Sequence, residues 1–140
     1  MKNFLMGFFL FISPLGPLAL LVTFASIIDT FVGRWYAEQK GELVTSRKTR
    51  IGLTRKLIIY FTCLLFSFLV DKFIINEIAK NYIWFDWAFT KLIASILIWI
   101  EYTSIDEKIK WIKGEGITDK IVKFGRSIKS LVGFKKDLES

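Results

Sequence analysis

The sequence predicts an all-α integral membrane protein with about three transmembrane helices and a C-terminal amphipathic helix. Long apolar runs recur at Phe4–Ile28, Leu57–Val70 and Ile83–Ile100. Between the first two lies a basic connector, Asp29–Lys56, with seven Lys and Arg against three acids and a local net charge of +4. After the third run, apolar residues recur at helical spacing among lysines. These features place a membrane domain at residues 1–100, with spans at about 4–28, 57–75 and 83–100, and a basic amphipathic tail at 101–140.

Composition supports the membrane reading. Of the 140 residues, 53% are hydrophobic and 16% aromatic, and the mean hydropathy is +0.44. A soluble chain of this size does not concentrate so much apolar sequence in three blocks. The net charge of +7 could signal nucleic acid. Here the basic residues cluster beside the spans, where they set orientation and meet anionic headgroups, so no nucleic-acid partner is expected. Cys63 is the only cysteine and cannot form a disulfide within the chain. The absence of histidine removes imidazole metal ligands and imidazole general bases.

The first run follows Lys2 and imitates a signal peptide. A cut after Ala19 would put Pro17 three residues before the bond, and the apolar run continues unbroken, so an uncleaved span is expected. Pro14, Gly16 and Pro17 interrupt this run. Either one kinked helix crosses, or Phe4–Ser13 lies along the interface and a shorter helix from Leu15 crosses. Gly16, Ala19, Thr23, Ser26 and Thr30 fall on one side of a helix, a small-residue stripe that lets a neighbouring helix approach. Ordinary variation on a lipid-facing helix would give the same pattern.

Helix can continue past Asp29 to Gln39, with Lys40-Gly41 as a stop. Ser46 can cap a second helix running through Arg55-Lys56 into the second span. That span is short unless Ile51–Lys56 or Asp71–Ile75 extends it. The following loop, Asp71–Tyr82, is neutral overall and suits the outer side, whereas the basic connector suits the cytoplasmic side. The expected topology is therefore N-out, C-in.

The third run contains Asp86 and, near its middle, Lys91. Asp86, Thr90, Ala94 and Glu101 share one helical face, with Lys91 at its edge. Such a face points at protein or water rather than lipid, so it either lines a water-filled path or closes a static bundle. In the tail, Ile117, Ile121, Phe124, Ile128, Leu131 and Phe134 recur at spacings of three, four and seven. The tail carries nine basic residues against seven acids. A helix of this kind can lie on an anionic bilayer or against a partner helix.

No catalytic constellation stands out. Lys113-Gly114-Glu115-Gly116 lacks the strand and helix context of a phosphate loop and reads as a turn. Glu101, Asp106 and Glu107 read as a solvated helix end rather than a metal site. No cofactor, metal or enzymatic activity is expected.

An ordered set of short motifs resembles a known family. Pro17-Leu18-Ala19-Leu20-Leu21 followed by Asp29 and Gly33 resembles the first span of small bacteriophage holins, the phage lysis and toxin-secretion holins. A polar stretch with serine follows, matched by Gly41 to Ser46; then a glycine and basic residues, matched by Gly52, Arg55 and Lys56; then an apolar helix ending in Asp71. Glu101-Tyr102-Thr103-Ser104-Ile105-Asp106-Glu107 resembles the last family feature. The family often has Asn where Lys108 stands, and its tail is commonly shorter and proline-bearing. The resemblance implies a non-enzymatic protein of the host bacterial inner membrane. Such a protein associates with copies of itself in the bilayer and opens lesions at a set time. The lesions let an endolysin reach the cell wall without direct binding between the two, or release a toxin. The runner-up expectation is a structural or accessory membrane protein that forms no pore.

Overall fold

The computed structural model describes residues 6–7, 11–75, 77 and 87–138, with side chains through 129. The described residues are helical and contain no strand. A 3₁₀ turn, Ser13–Leu15, leads into α1, Gly16–Gln39. Pro14 and Pro17 both occupy first-turn positions, where a missing N–H breaks no helical hydrogen bond. Residues 6–7 and 11–12 are also helical, so the prolines fall at a 3₁₀ junction between helical segments. Whether Phe4–Ser13 crosses the bilayer turns largely on residues outside those described.

The expected stop after Gln39 is present as a Schellman motif. Gly41 takes φ +74°, its N–H donates to the Glu38 carbonyl at 3.1 Å, and the Glu42 N–H donates to the Ala37 carbonyl at 3.0 Å. Helix α2 spans Ser46–Val70. Its cap is Thr45, one residue earlier than expected: Thr45 is extended and its hydroxyl accepts from the Lys48 N–H at 3.4 Å, while Ser46 is already helical. A π-helical turn, Asp71–Ile75, continues α2, so the second span is lengthened at both ends. Helix α3 spans Ala88–Lys113 and ends at Gly114, which takes φ +76°. The boundary expected at 100/101 thus falls inside α3. Helix α4, Ile117–Leu138, is a separate element.

Ser13–Gln39, Ser46–Ile75 and Ala88–Lys113 are each long and apolar enough to cross a membrane. Helix α1 packs most extensively against α3, and both contact α2. The packing inverts that of a soluble bundle. Ser26, Ser67, Thr90 and Ala94 are inside, with Leu15, Val22, Leu64, Phe68 and Leu97, while Leu20, Phe24, Phe31, Phe66 and Trp99 face outward. Lipid solvates large apolar side chains, so interiors select residues that let backbones approach and polar groups that pair across helices.

The bundle has two levels. Ile28, Leu57 and Ile100 end the three apolar runs, and the helices continue on the same side of that level as 29–39, 46–56 and 101–113. Each extension is about 11 to 13 residues, roughly three turns or more. The charged residues Asp29, Lys56 and Glu101 stand at the level itself.

Candidate functional site: a buried ionic cluster shared by three helices

Helix α1 presents Val22, Ser26, Asp29 and Gly33 to the interior at spacings of three and four. Helix α3 presents Leu97, Glu101 and Ile105 in the same way, with Lys108 one turn further. Helix α2 supplies Lys56. The Lys56 ammonium donates to Asp29 Oδ2 at 2.8 Å and to Glu101 Oε2 at 2.6 Å. Lys108 donates to Asp29 Oδ1 at 2.6 Å, and the Ser26 hydroxyl donates to Glu101 Oε1 at 3.2 Å. Tyr60 faces Glu101 and Ser104 faces Asp29.

Glu101 is fully buried and the Asp29 side chain is 7% exposed, whereas Lys56 and Lys108 are 28% and 24% exposed. The lysines bury their stems and bring their ammonium groups inward from the interface. Two carboxylates and two ammonium groups balance formally. A buried carboxylate is tolerated at this depth only when paired and hydrogen-bonded. Gly33 lies beside the cluster: a Cβ there would meet the Lys108 ammonium at 3.4 Å, an ordinary contact.

Beside the cluster, α1 and α2 leave an open cleft of about 290 Å³ on the basic side, lined by Asp29, Gly33, Arg34, Lys48, Gly52 and Lys56 among others. Gly52 lines it, where a Cβ would meet nothing within 4 Å, and Ser46 is exposed nearer the start of α2. Five motif residues, Asp29, Gly33, Lys56, Glu101 and Ser104, are therefore brought together. Glu107 is exposed and takes no part.

A second polar node lies at the other end. Asp71, fully buried in the π turn, accepts from the Phe89 N–H at 3.2 Å, the Thr90 N–H at 2.6 Å and the Thr90 hydroxyl at 2.5 Å. It caps the start of α3 from a different helix and places negative charge at that helix's positive end. Thr90 and Ala94 are both buried in the bundle. Lys91 is exposed and stands in the first turn of α3, on the side of Ile100 away from the basic extension. Asp86 lies outside the described residues.

The small-residue stripe of α1 lies partly on the interior face of the bundle. Ser26 is fully buried, but the interior face is centred on Leu15, Val22 and Asp29. Ala19 and Thr23 are half-buried and flank a small gap beside Tyr60 and Leu64. Gly16 meets nothing within 4 Å of its would-be Cβ and makes no close approach. Lys108 belongs to none of the sequence motifs. Its position seven residues after Glu101, with Ser104 between, is the signal that could have placed it on the same face. Among the described residues, no group of three or more metal-ligating side chains is gathered to hold an ion.

A helical bundle that is apolar outside, and ionically cross-linked inside at the level where its apolar section ends, is a multi-span membrane protein. The family model described as the Bacteriophage holin family matches residues 6–130. The chain belongs to that family, whose members permeabilise membranes and are not enzymes. Comparison with curated proteins and with solved structures finds no match.

Proposed function

We propose that the protein associates with copies of itself in the host bacterial inner membrane and permeabilises it, releasing an endolysin and triggering lysis. It acts without catalysis or cofactor and does not bind the endolysin. The observation that supports this most is the Asp29–Lys56–Glu101–Lys108 cluster. It stores four charged groups inside a bundle whose outer face suits lipid. When several bundles associate and the helices rearrange, the same groups can turn to water, which lowers the cost of a wet lesion. In the unopened state they hold the three helices together.

Induction in bacteria carrying a potential-sensitive dye tests this. The expected result is normal accumulation followed by abrupt collapse of the membrane potential, with release of a co-expressed endolysin that has no export signal. A steady potential at full insertion overturns the proposal. It would favour the second reading, a non-pore structural or accessory protein. That reading draws support from the single chain's self-sufficiency: among the described residues no buried side-chain polar atom lacks a partner.

The orientation proposed is N-out, C-in, from the +4 connector against the neutral Asp71–Tyr82 loop. Reporter fusions after Ser140 and within Asn76–Lys80 are expected to report cytoplasm and periplasm respectively. A periplasmic C-terminus refutes it.

A further inference from the structure

Helix α4 carries an apolar face that no other described part of the chain covers. Ile121, Phe124 and Ile128 are 59%, 68% and 45% exposed, and every residue from 120 to 129 is exposed. At about 100° per residue these three fall on one side with Ile117, and Lys123, Arg126 and Lys129 fall on the other. Between Ile117 and Lys129 there are four basic residues and one acid, Asp119, a net of +3.

The first turn of α4 is fastened to α3 at a definite height. Asp106 accepts from the Thr118 N–H at 3.0 Å and from its hydroxyl at 2.9 Å, and the Tyr102 and Thr118 hydroxyls are 3.0 Å apart. Asp119 accepts from the Gly116 N–H at 3.2 Å, closing a second cap from within the helix. Lys110 stands 3.6 Å from Asp119, and Lys123 pairs with Glu115. Tyr102 follows Glu101 directly and lies beside Trp99, with ring centroids 5.8 Å apart. Tryptophan and tyrosine mark the membrane–water boundary. Helix α4 is thus tied to α3 within one or two turns of that boundary and then leaves the bundle.

We propose that α4 binds the anionic lipid surface on the basic side of the membrane, lying among the headgroups with Ile121, Phe124 and Ile128 turned toward the acyl chains. Its charge selects lipid over a second copy of the same face, because pairing two such helices would bring two +3 segments together, whereas anionic headgroups complement them. A helix with one apolar and one basic face gains both burial and electrostatic attraction in this position. Through the Asp106 cap, lipid binding holds the end of α3 at a fixed height. The inference requires the membrane bundle but not the permeabilising function.

The test uses the full chain in a Cys63→Ser background, with a single fluorescent label at Phe124→Cys or Arg126→Cys. The protein is reconstituted in phosphatidylcholine vesicles with or without phosphatidylglycerol. Both positions are exposed, so the bundle is expected to melt as before. With phosphatidylglycerol, the label at 124 is expected to be several-fold less accessible to a water-soluble quencher than the label at 126. The difference is expected to fade without anionic lipid or as salt rises. Equal accessibility of the two labels in both vesicle types overturns the proposal. Protection at 124 that persists in uncharged vesicles and grows with protein density also overturns it, assigning the face to a second copy. Neither failure would bear on membrane permeabilisation, which the potential measurement reads separately.

Discussion

Replacing Lys56 with Met removes a cation that joins all three helices while keeping the length and apolar character of the stem. Lys56 contacts Asp29 at 2.8 Å and Glu101 at 2.6 Å. After substitution Asp29 keeps Lys108 at 2.6 Å. Glu101, fully buried, keeps the Ser26 hydroxyl and the nearby Tyr60 but no cation. Removing one partner of a buried pair costs about 3–5 kcal/mol. The partial exposure of Lys56, 28%, places the effect near the lower end. A loss of about 3 kcal/mol lowers the folded-to-unfolded ratio roughly 150-fold. Unfolding of the purified protein in mixed micelles, followed by tryptophan fluorescence, measures it. The double variant Lys56→Met with Glu101→Gln is expected to regain a large part of the loss, because the buried charge left behind is then gone. In cells, Lys56→Met at matched induction is expected to permeabilise earlier than the parent, or to accumulate less if the loosened bundle is degraded. Wild-type stability of Lys56→Met, or strict additivity of the two changes, would refute the account of the cluster as the bond between the helices.

Asp71→Ala strips the acceptor from two first-turn amides of α3 and is expected to cost about 1–3 kcal/mol. Asp71→Asn keeps one acceptor oxygen and costs less. Faster hydrogen exchange at Phe89 and Thr90 checks this, and unchanged exchange rules out the cap. Gly116→Ala would put a Cβ 2.7 Å from Asp106 Oδ1, so the Thr118 amide is expected to lose its protection while α1 to α3 stay folded. Loss of protection throughout the bundle would count against α4 being a separate element. Lys91→Leu is expected to leave stability within about 0.5 kcal/mol, since Lys91 is exposed and makes no ion pair among the described residues. A changed lysis time at unchanged abundance would instead place Lys91 in the lesion wall.

The sequence by itself determined the helices, their apolar sections and their order. Each of those properties is local: the Leu57–Val70 run, the Gly41 stop and the spacing of Ile117, Ile121 and Phe124 need only neighbours along the chain. It also held Asp29, Lys56 and Glu101 as separate motif residues at the ends of the apolar runs, but not their partners. Lys56 is 27 residues from Asp29 and 45 from Glu101, and Lys108 is 79 from Asp29. Periodicity assigns a residue to a face without saying which face of which helix it meets. Lys91 shows the consequence. Its spacing puts it at the edge of the polar face of the third run, and the folded chain leaves it on the outside of the bundle, in the first turn after Ala88. The charges that the bundle buries are those that partners from other helices reach, lysines for Asp29 and Glu101 and the first-turn amides of α3 for Asp71. Only the tertiary structure decides which these are, because burial of a charge is set by the partners brought to it rather than by its place along the chain.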